Sequence, residues 1–154
     1  WSSDVCSSDL DGAHERPPAG PASVRTDAAR CLGRLHRRLR SMAAGFDQLE
    51  VEQQHRLRRL IKRLRYGVEA TQSLWPDKAV RRYLGGLRPL QEALGAYNDL
   101  IVAQAVLPFT GEADAAFARG WLAARRAQAF DAAVAALQLW PAAPRAWRKH
   151  STAD

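Results

Sequence analysis

Apolar side chains recur at three- and four-residue steps along this 154-residue chain, and this spacing predicts amphipathic α-helices. The first predicted helix covers about residues 25–46, with one apolar face made of Ala28, Cys31, Leu32, Leu35, Leu39, Met42 and Phe46. The second covers about residues 51–74 and has the clearest stripe, made of Leu57, Leu60, Ile61, Leu64 and Val68. The pair Trp75-Pro76 marks the end of this second helix.

Two further helices are predicted in the second half of the chain. One covers about residues 78–106, where Gly85, Gly86 and Pro89 predict a kink or a restart near the middle. The other covers about residues 112–139 and is rich in alanine. The segment after Trp140 contains Trp147 and is expected to fold back onto the helices. Four amphipathic helices with short connections predict an all-α fold, an antiparallel four-helix bundle.

The two ends of the chain differ in character from this helical region. Residues 1–10, WSSDVCSSDL, have no helical or strand periodicity and resemble a translated sequencing adapter. On that interpretation the true start lies upstream and the chain is an N-terminally truncated fragment; the alternative is a disordered tail. We therefore divide the chain into this segment, a linker at residues 11–24, a helical domain at residues 25–148 and a tail at residues 149–154.

Composition supports the helical prediction and narrows the class of protein. The chain has 29 Ala and 18 Leu but only 8 Val and 2 Ile, and β-branched residues are those that strands favour. No uncharged stretch is long enough to cross a bilayer and no export signal is visible, so we expect a cytoplasmic protein without membrane association. The two cysteines form neither a disulfide framework nor a metal-ligand spacing, and we expect no metal and no cofactor.

The charge of the chain points to an anionic partner. There are 23 Lys and Arg residues against 16 Asp and Glu, a formal net charge of +7, and 20 of the basic residues are Arg. Residues 34–65 alone contain ten basic and three acidic side chains. A local positive field of this kind concentrates anions, and the planar guanidinium group matches phosphate oxygens.

The polar face of the second helix carries the candidate chemistry. Like charges three and four residues apart repel, so helix stability alone does not select a row of cations. A row of cations does suit a polymer that presents phosphate charges at short intervals. The alternative is a merely solvated basic face, but few acidic residues interrupt it. We predict an anion site formed by His55, Arg58, Arg59, Lys62 and Arg65, with its field widened by Arg34, Arg37 and Arg38 of the first helix.

Two segments resemble a known family. The run HRLRRLIKRLRYGVE (residues 55–69), followed by LRPLQEALGAYND (residues 87–99), resembles the second half of a CHAD domain, the conserved-histidine α-helical domain. The pair Trp147-Arg148 resembles, more weakly, the aromatic element at the end of that domain. No second copy of the His/Arg helix is present, because RLHRRLR (residues 34–40) lies too close to the second helix.

The resemblance implies a domain of two four-helix bundles, of which this chain supplies one, and a basic surface that binds inorganic polyphosphate. It implies no catalytic residues and no enzymatic activity, although the family is often fused to a triphosphate-tunnel catalytic domain. Self-association through the surface of the missing half is a further expectation. By motif, the expected polyphosphate contacts are His55, Arg58, Lys62 and Arg65, with Arg59 beside them. Matches to the second motif, which we interpret as packing between helices, are Gln91, Leu94, Gly95 and Asp99.

Three other functions are weighed against polyphosphate binding. Non-specific nucleic-acid binding ranks second, because Tyr66 is the one aromatic residue on the basic face and no base-reading group accompanies the arginines. A histidine phosphotransfer domain ranks lower, because Arg59 would block the approach of a partner to His55. A hydrolase ranks lowest, since Glu69 is the one carboxylate on this face. His36 lies beside the apolar stripe of the first helix and is interpreted as a boundary residue.

Overall fold

The computed structural model describes residues 20–106, 112–140 and 144–147. It contains four α-helices: α1 (Pro21–Ala43), α2 (Val51–Ala70), α3 (Asp77–Val106) and α4 (Glu112–Leu139). Short 3-10 turns lie at Phe46–Gln48 and Gln72–Leu74. These ranges contain no strand, and the predicted all-α helical bundle is confirmed. Predicted segments 1–10 and 149–154 and most of the linker lie outside the described residues.

Helix boundaries differ from the expected ones where local capping decides them. α1 begins at Pro21, four residues earlier than expected, because proline is well suited to the first turn of a helix. α2 begins at Val51, where the Glu50 backbone N–H donates to Gln53 Oε1 at 3.0 Å. α2 ends at Ala70 instead of residue 74, since the following residues tighten into the second 3-10 turn.

The helix α3 runs without interruption through Pro89, so the predicted restart is wrong. Proline removes one N–H donor and normally collides with the residue four positions earlier. The collision is with the backbone carbonyl of that residue, here Gly85, which is exposed, as is Pro89 itself. Water can therefore replace the missing hydrogen bond, and the helix tolerates the proline.

Successive helices run antiparallel, as the residue pairs between them show. Leu32 in the middle of α1 meets Gly67 near the end of α2. His55 at the start of α2 bonds Asn98 late in α3. The Tyr97 ring of α3 packs against Phe130 of α4 with 5.5 Å between centroids. This arrangement sets the first turns of α2 beside the last third of α3.

The core lies where the apolar stripes of α1, α2 and α3 meet. Burying each large aliphatic side chain stabilises the fold by about 1.5–3 kcal/mol. The largest fully buried side chains are Tyr83, Leu39, Leu57, Ile61, Leu64, Leu87, Leu90, Leu94 and Val68. The stripe predicted for α2 is buried along its whole length. One face of α2 is thus fixed in the core, which determines the direction of its basic face.

An aromatic cluster lies between α1, the first turns of α3 and the chain that follows α4. We use this name for His36, Tyr83, Trp140 and Trp147, all of which are buried. The ring centroids of Tyr83 and Trp147 lie 4.9 Å apart, and those of His36 and Trp140 lie 4.8 Å apart. Trp147 thus packs onto α1 and α3, and the predicted fold-back after Trp140 is confirmed at the described residues.

None of the described helices combines the length and the apolar character that a membrane-spanning segment requires.

Candidate anion-binding site

Four of the predicted site residues form a continuous row along the edge of α2 that faces α3. We call His55, Arg58, Lys62 and Arg65 the α2 row; all four are half-buried. Because they follow one another at steps of three and four residues, their Cβ atoms are about 5–6 Å apart. Arg59 projects into solvent next to the row. The structure therefore brings five predicted residues onto one side of α2.

Contacts with α3 hold both ends of this row. His55 Nδ1 lies 3.2 Å from Asn98 Oδ1. Arg65 Nη1 donates to Gln91 Oε1 at 3.0 Å, and Arg65 Nε donates to Glu69 Oε1 at 2.8 Å. An amide oxygen only accepts hydrogen bonds, so the His55 Nδ1–H donates to it and Nε2 is left for another partner. The two ends of the row are consequently held in place by the protein itself.

Arg58 lies in the middle of the row with its stem in the groove between α2 and α3. A cavity of about 10 Å³ there is lined by Arg58 and His55 together with Leu94, Tyr97 and Asn98. This space holds at most a single water molecule. The Arg58 Nε is buried and has no hydrogen-bond partner among the described residues. Arg58 is therefore partly enclosed between α2 and α3.

Acidic side chains neutralise only part of this charge. Glu52 Oε1 lies 3.2 Å from Arg56 Nε and 3.8 Å from Arg59 Nη2. The hydrogen bond and the charge of Glu69 raise the pKa of Arg65. Within the described ranges, no carboxylate oxygen lies within 4.0 Å of Arg58 or Lys62. These two cations in the centre of the row remain available to an external anion.

The three predicted α1 residues do not join the row. Arg34, Arg37 and Arg38 are exposed on α1. α1 packs against α2 at Gly67, where an added Cβ would lie 2.9 Å from Leu32 Cδ2. At about 100° per residue, Gly67 is on roughly the opposite side of α2 from the row.

Arg37 lies on the side of α1 that faces the aromatic cluster. A Cβ on Gly33 would be 3.6 Å from Arg37 Nη1 and 3.7 Å from Trp147 Nε1. The α1 arginines are therefore separated from the row by the width of α2.

The second motif supplies the residues that support the row. Gln91 bonds Arg65, and Leu94 is buried against α2. Gly95 has open space where a Cβ would be, and Asp99 is exposed. Asn98, which holds His55, was not singled out from the sequence, although it lies one helical turn beyond Leu94 on the same face. The four-residue spacing between Leu94 and Asn98 was the feature of the sequence that could have identified Asn98.

His36 is a buried core residue and the interpretation as a boundary residue is wrong. Its Nδ1 lies 2.8 Å from the Tyr83 hydroxyl, and the side chain is 5% exposed. Burial, together with the charges of Arg145, Arg40 and Arg37, lowers the pKa of His36 to about 4. Burial also raises the pKa of Tyr83, which stays a neutral phenol and can donate to the imidazole. His36 is thus a neutral structural residue, remote from the α2 row.

The chemistry available at the row is electrostatic binding. Glu69 is half-buried and engaged by Arg65, so no free pair of carboxylates faces the row in the described residues. The same part of the chain contains no group of three or more His, Cys, Asp or Glu side chains placed to hold a metal ion. Positive groups at regular spacing on a rigid helix are suited to holding an extended anion.

The fold and the site together define the class of protein. It is an all-helical domain with a row of cationic side chains on its second helix. The CHAD domain family matches residues 5–108, and the chain belongs to this family. This family is associated with polyphosphate binding and is generally non-catalytic. The match contains α1, α2, α3 and the whole α2 row, while α4 and Trp147 lie beyond it. No curated protein and no solved structure matches the chain significantly.

Proposed function

We propose that this chain binds inorganic polyphosphate along the α2 row and catalyses no reaction of its own. The observation that carries the proposal is the pair Arg58 and Lys62, which occupy the centre of the row with no carboxylate within 4.0 Å among the described residues. Membership of the CHAD family supports the same ligand.

The spacing of the row suits a linear polyanion better than a single phosphate ion. His55 and Arg65 are ten residues apart, which is about 15 Å along a helix. A single phosphate ion can contact only neighbouring members of the row. A chain of phosphate groups can contact all of them in turn, and each contact releases a counterion from the polymer. The His55–Asn98 and Arg65–Gln91 contacts reduce the ordering cost of binding.

Aromatic groups contribute little to this surface, which favours polyphosphate over single-stranded nucleic acid. Tyr66 is exposed on this side of α2, but the Arg65 guanidinium carbon lies 5.9 Å from its ring centroid. The ring is therefore engaged by a cation already on its face. Stacking of bases on several aromatic side chains is the usual basis of single-strand binding.

Direct titration with long-chain polyphosphate tests the proposal. The row-triple variant, Arg58→Ala/Lys62→Ala/Arg65→Ala, removes three charges from the row and leaves the buried leucine stripe intact. A matched control, Arg30→Ala/Arg119→Ala/Arg125→Ala, removes three charges from exposed positions elsewhere.

We expect the row-triple variant to lose at least tenfold in affinity and the control to lose much less. Equal losses in the two variants would mean that net charge, and not the row, governs binding. Far-UV circular dichroism of both variants checks that the helices are retained.

A further inference from the structure

A second cleft continues the groove between α2 and α3 beyond the end of the α2 row. Its volume is about 600 Å³, within the range of small-ligand sites. Arg65 and Glu69 line it from α2, and Gly85, Arg88 and Glu92 line it from α3. We call it the Arg88 cleft. It shares Arg65 with the α2 row, so the two surfaces are continuous.

Two guanidinium groups face this cleft, and each is held by a carboxylate of its own helix. Arg65 Nε lies 2.8 Å from Glu69 Oε1, and Arg88 Nε lies 2.8 Å from Glu92 Oε1. The hydrogen bond and charge of Glu92 raise the pKa of Arg88, while the charge of Arg65 opposes this effect. Because Arg65 and Arg88 line the same cleft, an anion bound there can interact with both cations.

The floor of the cleft is open. A Cβ on Gly85 would meet no atom within 4 Å, and Arg88 has a highly exposed side chain with 80% of its surface accessible. An exposed ion pair such as Arg88–Glu92 contributes little to stability, because water screens both partners. An external polyanion can thus compete with Glu92 for Arg88 at little cost to the fold.

We propose that Arg88 is a further polyphosphate-binding residue, and that the Arg88 cleft takes the phosphate groups that follow those bound along the α2 row. This inference rests on the proposed function and extends it from α2 onto α3. Glu92 and Glu69 then act as internal competitors, which the polyphosphate chain displaces from the two arginines. A phosphate chain long enough to reach past Arg65 uses the cleft, whereas tripolyphosphate is held by part of the row alone.

Charge and space in the cleft can be varied separately. Arg88→Ala removes the cation, and Glu92→Gln removes the internal competitor. Gly85→Leu fills the floor without changing charge, and Gly85→Ala is its matched control. Arg30 and Asp27 form an exposed ion pair on α1, with 3.4 Å between Arg30 Nη1 and Asp27 Oδ1, so Arg30→Ala and Asp27→Asn serve as charge controls.

Each protein is titrated with tripolyphosphate and with long-chain polyphosphate at one salt concentration. We expect Arg88→Ala to weaken long-chain binding by about two- to fivefold relative to Arg30→Ala, and Glu92→Gln to strengthen it by a similar factor relative to Asp27→Asn. Gly85→Leu should weaken long-chain binding relative to Gly85→Ala. Tripolyphosphate binding should change no more than in the controls.

Two outcomes separate this inference from the function on which it rests. If the wild type binds long-chain polyphosphate but the cleft variants match their controls, the Arg88 cleft is not part of the site and the α2 row alone is sufficient. If the wild type binds neither tripolyphosphate nor long-chain polyphosphate, the proposed function itself fails. Loss of tripolyphosphate binding in Arg88→Ala equal to the loss of long-chain binding would also contradict the extension onto α3.

Discussion

Mild acid should destabilise this fold through a single buried histidine, His36. The imidazole packs against Tyr83, Trp140 and Trp147 and is 5% exposed. Arg145, Arg40 and Arg37 face it from the C-terminal segment and from α1, and each of these charges opposes its protonation. A proton on His36 would place an unpaired cation in an aromatic environment among other cations, while also preventing Nδ1 from accepting the Tyr83 hydroxyl.

The size of the effect follows from the difference between the folded and unfolded pKa values. The pKa of His36 is about 4 in the folded protein, against a usual value of 6.5. Since the folded pKa is the lower one, the unfolded chain takes up the proton first. The stability is therefore complete above pH 6.5 and is lost as the pH falls from 6.5 towards 4. At about 1.4 kcal/mol per pKa unit, the loss is about 2 kcal/mol at pH 5 and about 3 kcal/mol when complete.

Urea unfolding followed by far-UV circular dichroism measures this loss. The free energy of unfolding is determined at about pH 7.5 and about pH 5 for the wild type and for His36→Gln. The variant lacks the titrating group but keeps a polar side chain near Tyr83, so groups that titrate elsewhere affect both proteins equally. We expect the wild type to lose about 2 kcal/mol more than the variant over this pH interval. Equal losses in the two proteins would refute the assignment of the effect to His36.

Three further predictions address the core and the α2 row. Leu64 is fully buried, so Leu64→Ala should lower the free energy of unfolding by about 2–5 kcal/mol in urea titrations; a smaller change would mean that α2 packs loosely. Tyr66→Ala should leave polyphosphate affinity within about twofold of the wild type by direct titration, since phosphate chains have no bases to stack. A tenfold loss would contradict the claim that aromatic groups contribute little to this surface. The slope of log affinity against log salt concentration should be less steep by about 2 for the row-triple variant, because three phosphate contacts are lost. An unchanged slope would contradict direct phosphate contact.

The sequence was sufficient to predict the helices and the composition of the row. Apolar spacing identified α2, and the same spacing placed His55, Arg58, Lys62 and Arg65 on the face opposite the leucines. Both results depend on helical geometry, which is local and repeats every few residues. Tertiary packing decides which edge of α2 contacts α1 and which contacts α3, and the sequence alone did not predict this.

Long-range contacts account for what the sequence did not predict. The α1 arginines share a sequence neighbourhood with the row, but the Leu32–Gly67 contact places α1 against the other edge of α2. His36 is buried because Trp147, more than one hundred residues later, folds over it. Arg88 was not singled out from the sequence, and only the antiparallel register of α2 and α3 brings it beside Arg65. Each of these features requires knowledge of which helices are neighbours.

The most direct test of the central claim is a competition between long-chain polyphosphate and duplex DNA of equal phosphate content. Wild type and the row-triple variant are titrated at two salt concentrations, so that non-specific charge attraction, which weakens steeply with salt, can be recognised. Preferential binding of polyphosphate by the wild type at both salt concentrations, and loss of that preference in the row-triple variant, is the predicted result. Equal binding of the two polymers, or a preference that survives in the variant, would contradict the claim that the α2 row is a polyphosphate site.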